Sequence, residues 1–218
     1  MKAIIERDQW AESPRTAFDN LSTFIFLGKH SDLGDKHDLH GDFGSFKGHE
    51  KAIRKAYDVA VLRPVYAYIH SGMTISTSPF SCPWDSGQLG FAIVTKDAIR
   101  REYGIKRVTQ KYIDMASKVL EGEVETLDQY IRGDVYSVSI YDGDEFIDGC
   151  SGYYDIEQAK EEMPDYVTKI EEKTYENLLT TIHRVLQHHL GDGRQLPHRG
   201  AERRYGEHRL REVSRGRI

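Results

Sequence analysis

The densest group of side chains able to do chemistry lies in residues 30–42. This stretch holds three histidines and four aspartates within thirteen positions. Imidazole and carboxylate groups are good ligands for zinc, manganese or iron. Candidate metal ligands are therefore His30, Asp35, His37 and His40. Their spacing matches no metal-binding motif, and Gly, Asp and His are also frequent in loops, so an ordinary polar loop is the alternative interpretation.

A second candidate combines His70 with Cys82 and Asp85. The pattern around residues 65–77 predicts a hairpin, which places His70 at its tip and the other two residues on the following loop. A thiol, an imidazole and a carboxylate together can form a nucleophilic catalytic site. The alternative is structural: Trp84 anchors the loop and Cys82 is a small buried side chain.

The third candidate is a strongly acidic region. Residues 1–120 carry 17 basic and 14 acidic side chains, residues 121–176 carry 4 and 17, and residues 177–218 carry 9 and 4. The candidate partner-binding residues are Glu121, Glu123, Glu125, Asp128, Asp142, Asp144, Glu145 and Asp148. Because duplex DNA carries one charge per ~1.7 Å of its axis, a folded array of carboxylates could occupy the DNA-binding channel of another protein. The alternative is a solvated acidic face.

The same acidity disfavours direct binding of DNA by this region, because carboxylates repel the phosphates that supply most non-specific affinity. The only two cysteines, Cys82 and Cys150, are expected to be free thiols. The first residues show no signal-peptide pattern, so we expect a cytoplasmic protein with no membrane association.

Several elements are predicted from hydrophobic periodicity, turn residues and helix caps. Strands are expected near residues 21–26, 65–69, 74–77, 91–95, 135–141 and 146–150. Helices are expected over residues 48–62, after Thr95, after Thr109, from Thr126 to Gly133, after Asp155, and from about 167 to 190. Because strands come in hairpins that helices separate, the predicted class is α+β, with a mainly antiparallel sheet covered by helices.

The composition is that of a globular chain, with 39% hydrophobic and 30% charged residues and a mean hydropathy of −0.60. A single α+β domain is expected over residues 1–190, with a long helix at its end. Residues 191–218 are rich in arginine and poor in apolar residues, which predicts a disordered basic tail.

Parts of the sequence are similar to a known family. The matching stretches are residues 12–15, 19–21, 33–37, 70–90 and 133–150, and the most specific is the Pro-Phe-Ser-Cys-Pro-Trp-Asp-Ser-Gly run at residues 79–87. They resemble a family of uncharacterised proteins encoded by tailed bacteriophages and mobile elements. The resemblance implies an accessory protein expressed in the cytoplasm of a bacterial host, and it implies no particular reaction.

Two function classes follow. The leading hypothesis is a non-enzymatic inhibitor, of the anti-restriction or anti-CRISPR type, whose acidic surface mimics DNA and engages a host protein with a basic nucleic-acid-binding surface. It needs no cofactor. The alternative is a small metal-dependent hydrolase acting on nucleotides or nucleic acid, in which a divalent metal held by the histidine-rich stretch activates water.

Overall fold

Two four-stranded sheets organise residues 1–39, 41 and 43–173, which are the residues that the computed structural model describes. The strands are β1 (Lys2–Arg7), β2 (Thr23–Phe26), β3 (Val59–Ile69), β4 (Met73–Ser76), β5 (Ser86–Thr95), β6 (Tyr136–Asp142), β7 (Glu145–Tyr153) and β8 (Lys169–Lys173). The helices are α1 (Pro14–Ala17), α2 (Phe46–Ala56), α3 (Lys96–Tyr103), α4 (Gln110–Arg132) and α5 (Ile156–Glu161), with a 3₁₀ helix at Gly28–Leu33. The predicted α+β class is confirmed.

The first sheet has the order β2-β5-β3-β4, and all its pairs are antiparallel. Side chains alternate between its faces: Phe24 and Val94 pack with Leu120 of α4, whereas Ile25 and Ile93 pack with Ile53 of α2. Both faces of β5 are therefore covered, which explains why its residues 89–94 are all buried.

The second sheet has the order β7-β6-β1-β8. Its β1–β6 and β6–β7 pairs are antiparallel, and β1 runs parallel to β8. Ala3, Ile5, Val138 and Ile140 share one face and pack against Ala159 of α5. The strand β7 lies at the edge of this sheet, and nearly all of its residues are exposed.

Helix α4 differs from the prediction of two helices separated before Thr126. It is one helix of 23 residues, and its buried face continues from Leu120 through Val124 to Leu127. The Thr126 hydroxyl donates to the Gly122 carbonyl oxygen at 2.9 Å, one turn earlier, instead of capping a new helix. The predicted end at Gly133 is confirmed, because this glycine has φ 69° and closes the helix in the left-handed conformation.

The predicted helix over residues 48–62 is wrong in its second half. Helix α2 ends at Ala56, and β3 begins at Val59 and continues through Pro64. A strand tolerates this proline because β4 pairs with β3 only from Tyr66 onward, so the ring lies where β3 has β5 as its single neighbour.

The end of the described chain also departs from the prediction. The residues from 169 to 173 form β8 instead of the start of a long helix, and their partner β1 was not predicted. The rest of that helix and the predicted tail at residues 191–218 lie outside the described residues. No helix in the described part of the chain is long and apolar enough to cross a bilayer.

Candidate functional site

One arginine organises the carboxylates that lie inside the molecule. The Arg15 side chain is only 4% exposed and donates to both carboxylate oxygens of Asp35, at 3.1 and 2.5 Å. It also donates to Glu123 Oε2 at 3.2 Å and to the Ser22 carbonyl oxygen at 2.7 Å, and its guanidinium lies 3.9 Å from the Phe24 ring centroid. We call Arg15, Asp35 and Glu123 the Arg15 cluster.

Backbone groups complete the Arg15 cluster. Glu123 Oε1 accepts from the Leu21 amide at 2.7 Å, Glu123 Oε2 accepts from the Ser22 amide and hydroxyl, and Asp35 Oδ2 accepts from the Phe24 amide at 2.7 Å. The cluster joins α4 to the chain around β2. The prediction that Glu123 lies on an outward surface is thus corrected, because both of its oxygens are bound inside the molecule.

Asp128 requires the same correction. Its side chain is 16% exposed, and its Oδ1 accepts from the Thr74 hydroxyl at 2.6 Å and from the Ile75 amide at 2.7 Å. Its Oδ2 lies 3.0 Å from Arg132 Nε. This carboxylate fastens α4 to β4 and is not part of an exposed surface.

Other acidic side chains of this region also have basic partners. Glu121 lies 3.5 Å from Arg63 Nε, and Asp134 pairs with arginines at positions 7 and 132. Hydrogen bonding from Lys169 lowers the pKa of Glu171, and hydrogen bonds to Glu157 and to the glutamate at 172 raise the pKa of Lys160. Glu125 is exposed on α4.

The remaining candidates gather on one hairpin. Asp142, Asp144, Glu145 and Asp148 are all exposed, in the turn between β6 and β7 or on the adjoining ends of these strands. None of them forms an ion pair with a lysine or arginine of the described residues. We call residues 141–148 the acidic hairpin. Its turn depends on Gly143, which has φ 61°.

Apolar side chains accompany these carboxylates. The Phe146 side chain is 57% exposed, and its ring meets Tyr141 edge-on with centroids 5.8 Å apart. Ile147 is 43% exposed and forms a bulge. Ile140 pairs with Asp148 and Tyr141 pairs with Phe146, so Ile147 between them has no partner in β6. The acidic hairpin therefore offers negative charge and aromatic surface together at a sheet edge.

The structure brings His70, in the turn between β3 and β4, next to Cys82 and Asp85 of the β4–β5 loop. Asp85 Oδ2 lies 3.3 Å from His70 Nδ1 and accepts a hydrogen bond from Cys82 Sγ at 3.8 Å. The Ser86 hydroxyl also donates to the Cys82 carbonyl oxygen. The carboxylate thus stands between thiol and imidazole. In a nucleophilic cysteine site the imidazole contacts the thiol, whereas here the thiol and the imidazole each contact the Asp85 carboxylate, which holds the loop in place.

Trp84 does not anchor this loop, contrary to the structural alternative. Its side chain is 92% exposed. The loop is anchored by Phe80, whose ring lies 5.9 Å from Tyr68, and by the Asp85 carbonyl oxygen, which accepts from the Ile69 amide at 2.7 Å. Cys82 is partly exposed, and both cysteines are unbridged, as predicted.

The candidate metal ligands do not converge among the described residues. Asp35 forms an ion pair with Arg15. His30 and His37 line two different clefts, and His40 lies outside the described residues. His30 Nε2 and His37 Nδ1 are buried without a hydrogen-bond partner. Within the described residues, no three His, Cys, Asp or Glu side chains are placed to hold a metal ion.

Sequence reasoning missed the role of Arg15, because a single arginine next to a proline carries no periodic or motif signal. Asn20 is part of the same environment, since its Oδ1 accepts from Arg15 Nη1 at 2.7 Å. Only the fold brings positions 15, 35 and 123 together.

A comparison of this chain with family models, curated proteins and solved structures gave no match.

Proposed function

We propose that this protein is a non-enzymatic binding protein that uses the acidic hairpin to engage a basic surface on another protein. One observation carries the proposal. Seven of the sixteen acidic side chains in residues 121–173 pair with arginine or lysine, whereas the four carboxylates of the acidic hairpin fall within seven positions and have no basic partner among the described residues. Exposed like charges held close together favour a partner of opposite charge.

The neighbouring apolar groups support a protein as the partner. Phe146 and Ile147 present exposed apolar surface next to the carboxylates. Aromatic residues are enriched at protein interfaces, while charges at the rim raise the association rate. A basic surface with an apolar depression fits this combination. The exposed acidic surface is smaller than the sequence predicted, because the carboxylates of Glu123 and Asp128 bind groups inside the molecule.

The biological setting rests on the resemblance to bacteriophage and mobile-element proteins. We propose that the partner is a host protein with a basic nucleic-acid-binding surface, and that its inhibition counters host defence, as anti-restriction and anti-CRISPR proteins do. Occupying such a surface with carboxylates blocks the site where phosphates bind. The proposal is independent of any cofactor and places the protein in the host cytoplasm.

The test neutralises the hairpin and compares it with an equal change elsewhere. The hairpin variant carries Asp142→Asn, Asp144→Asn, Glu145→Gln and Asp148→Asn. The control variant carries four isosteric changes at exposed acidic residues away from the hairpin, namely Asp19→Asn, Asp32→Asn, Asp38→Asn and Glu102→Gln. Both variants change the net charge by the same amount, so only the position of the charge differs.

The readout is phage plating efficiency on bacteria that carry a restriction or CRISPR system, together with affinity capture from their lysate. We expect the natural protein and the control variant to raise plating efficiency and to capture the same basic protein. The hairpin variant should do neither, and the captured protein should elute between 50 and 200 mM salt because exposed charges are screened within a Debye length of ~8–10 Å. Equal inhibition by both variants would refute the proposal.

A further inference from the structure

A cleft beside the exposed Trp84 differs from the acidic hairpin in both chemistry and position. It has a volume of about 420 Å³ and is lined by polar side chains and by apolar ones such as Leu27 and Leu89. Small-molecule sites in proteins commonly span ~300–1,000 Å³. The polar lining comes from Lys29, His30, Trp84, Asp85, Ser86 and Gln88. The cleft therefore has the size of a ligand site and a mixed lining.

The loop that presents Trp84 is fixed by its neighbours. Its Asp85 side chain is held by His70 and Cys82, and the Asp85 backbone accepts from Ile69. Because these contacts secure the loop without the indole, the fold does not need Trp84 to be aromatic. The Trp84 side chain is 92% exposed, so its indole ring does not contribute the hydrophobic free energy that burial of an aromatic side chain would add to folding.

The groups around the cleft match one ligand chemistry. The indole offers a flat face on which a planar ring can stack, and stacking of this kind accepts any nucleobase. Lys29 is exposed and brings a positive charge to the same cleft. Asp85 and Gln88 add hydrogen-bonding groups for the edge of a base. A ligand with a planar ring, a negative charge and hydrogen-bonding groups on the edge of the ring matches the indole face, the Lys29 charge and the polar groups of Asp85 and Gln88.

We infer that this cleft binds a nucleotide, with the base stacked on Trp84 and the phosphate near Lys29. The nucleotide is either free or part of a single strand. Duplex DNA is not the ligand, because its bases are stacked on one another and offer no free face.

The experiment measures binding by calorimetry with two probes, adenosine monophosphate and an oligothymidylate of about eight nucleotides, within the ~4–16 nucleotides of known single-strand sites. The test variants are Trp84→Ala and Lys29→Glu. The matched controls are Trp10→Ala, at a tryptophan that is 90% exposed away from the cleft, and Lys55→Glu, at an exposed lysine on α2. Circular dichroism checks that all four variants keep the fold.

We expect saturable binding that weakens roughly tenfold or more in Trp84→Ala, as base stacking on aromatic side chains predicts. Lys29→Glu should weaken it as well, and neither control should change it. Binding of both probes identifies free nucleotides as ligands, and binding of the oligonucleotide alone identifies a single strand. The inference is overturned if neither probe binds at millimolar concentration, or if Trp84→Ala binds as the natural protein does.

A second readout uses fluorescence and does not depend on calorimetric heat. The chain has two tryptophans, so Trp10→Phe leaves Trp84 as the only one. A base stacked on the indole should quench its emission along the same saturation curve. Quenching without saturation would indicate collisions in solution and would contradict a bound nucleotide.

Discussion

The Arg15 cluster and the acidic hairpin contain carboxylates from one acidic stretch of sequence, yet their surroundings are opposite. Glu123 is 14% exposed and is bound by a guanidinium, two backbone amides and a hydroxyl. Asp144 lies on an exposed turn with no basic partner among the described residues. The number of acidic residues in a stretch of sequence therefore does not show which of them are exposed. Residues that are close in sequence can point to opposite faces of a helix or a strand.

The first prediction concerns the cluster and should show the largest effect. Replacing Arg15 with methionine removes the cation from two partly buried carboxylates, and breaking such a pair costs about 3–5 kcal/mol. We expect the lower end of that range, because Asp35 and Glu123 keep their backbone donors. Urea denaturation measures the change in the free energy of unfolding.

The matched control is Arg54→Met, which removes an exposed arginine that pairs with Glu50 at 2.9 Å one helix turn away. Such pairs contribute about 0.3–0.5 kcal/mol. If Arg15→Met destabilised the protein no more than this control does, the contrast between the cluster and the exposed charges would be lost.

The second prediction uses one helix to compare an inward and an outward carboxylate. Asp128→Ala leaves the Thr74 hydroxyl and the Ile75 amide without their acceptor, which should cost about 1–3 kcal/mol. Glu125→Ala on the exposed side of α4 should change stability by less than about 0.5 kcal/mol. Thermal unfolding of the two variants in parallel tests the difference, and equal melting temperatures would contradict the assignment of Asp128 as a fastening residue.

Much of the fold follows from local sequence signals. Gly143 predicts the turn of the acidic hairpin, and Thr95 predicts the start of α3, where its hydroxyl accepts from the Ala98 amide at 3.1 Å. Such turns and caps are decided by neighbouring residues, so a single sequence contains them. The strand β8 was missed for the opposite reason, since its parallel pairing with β1 joins residues about 167 positions apart.

The candidate site was predicted less completely than the fold. The meeting of His70, Cys82 and Asp85 follows from a hairpin and the loop after it, which are local features. The order of the three groups, with the carboxylate in the middle, depends on side-chain directions that no spacing encodes. The selection of Glu123 as an exposed residue was wrong because its partner Arg15 lies 108 positions away in the chain.

The third prediction concerns the stability of the acidic hairpin. The four isosteric changes at residues 142, 144, 145 and 148 remove repulsion between exposed like charges and break no ion pair among the described residues. The free energy of unfolding should therefore stay within about 0.5 kcal/mol of the natural protein, or rise slightly. Urea denaturation at low salt measures it. A loss comparable to that of Arg15→Met would assign these carboxylates a structural role and would remove the contrast.

The fourth prediction has the smallest expected effect and concerns the pKa of Tyr153, whose hydrogen-bond partner Cys150 lies in the same strand, β7. A hydrogen bond with Cys150, followed by desolvation, raises the pKa of Tyr153 to about 12 from its ordinary value of 10.0. Since the folded protein holds this proton more tightly than the unfolded chain, the contribution to stability is complete below pH 10 and is lost as the pH rises from about 10 to about 12.

Cys150→Ala should move the pKa of Tyr153 down toward 10 and leave stability at neutral pH nearly unchanged. NMR of the tyrosine ring carbon follows the titration of Tyr153 separately. An unchanged Tyr153 titration in the variant would show that burial and Glu162, not Cys150, keep the pKa of Tyr153 raised.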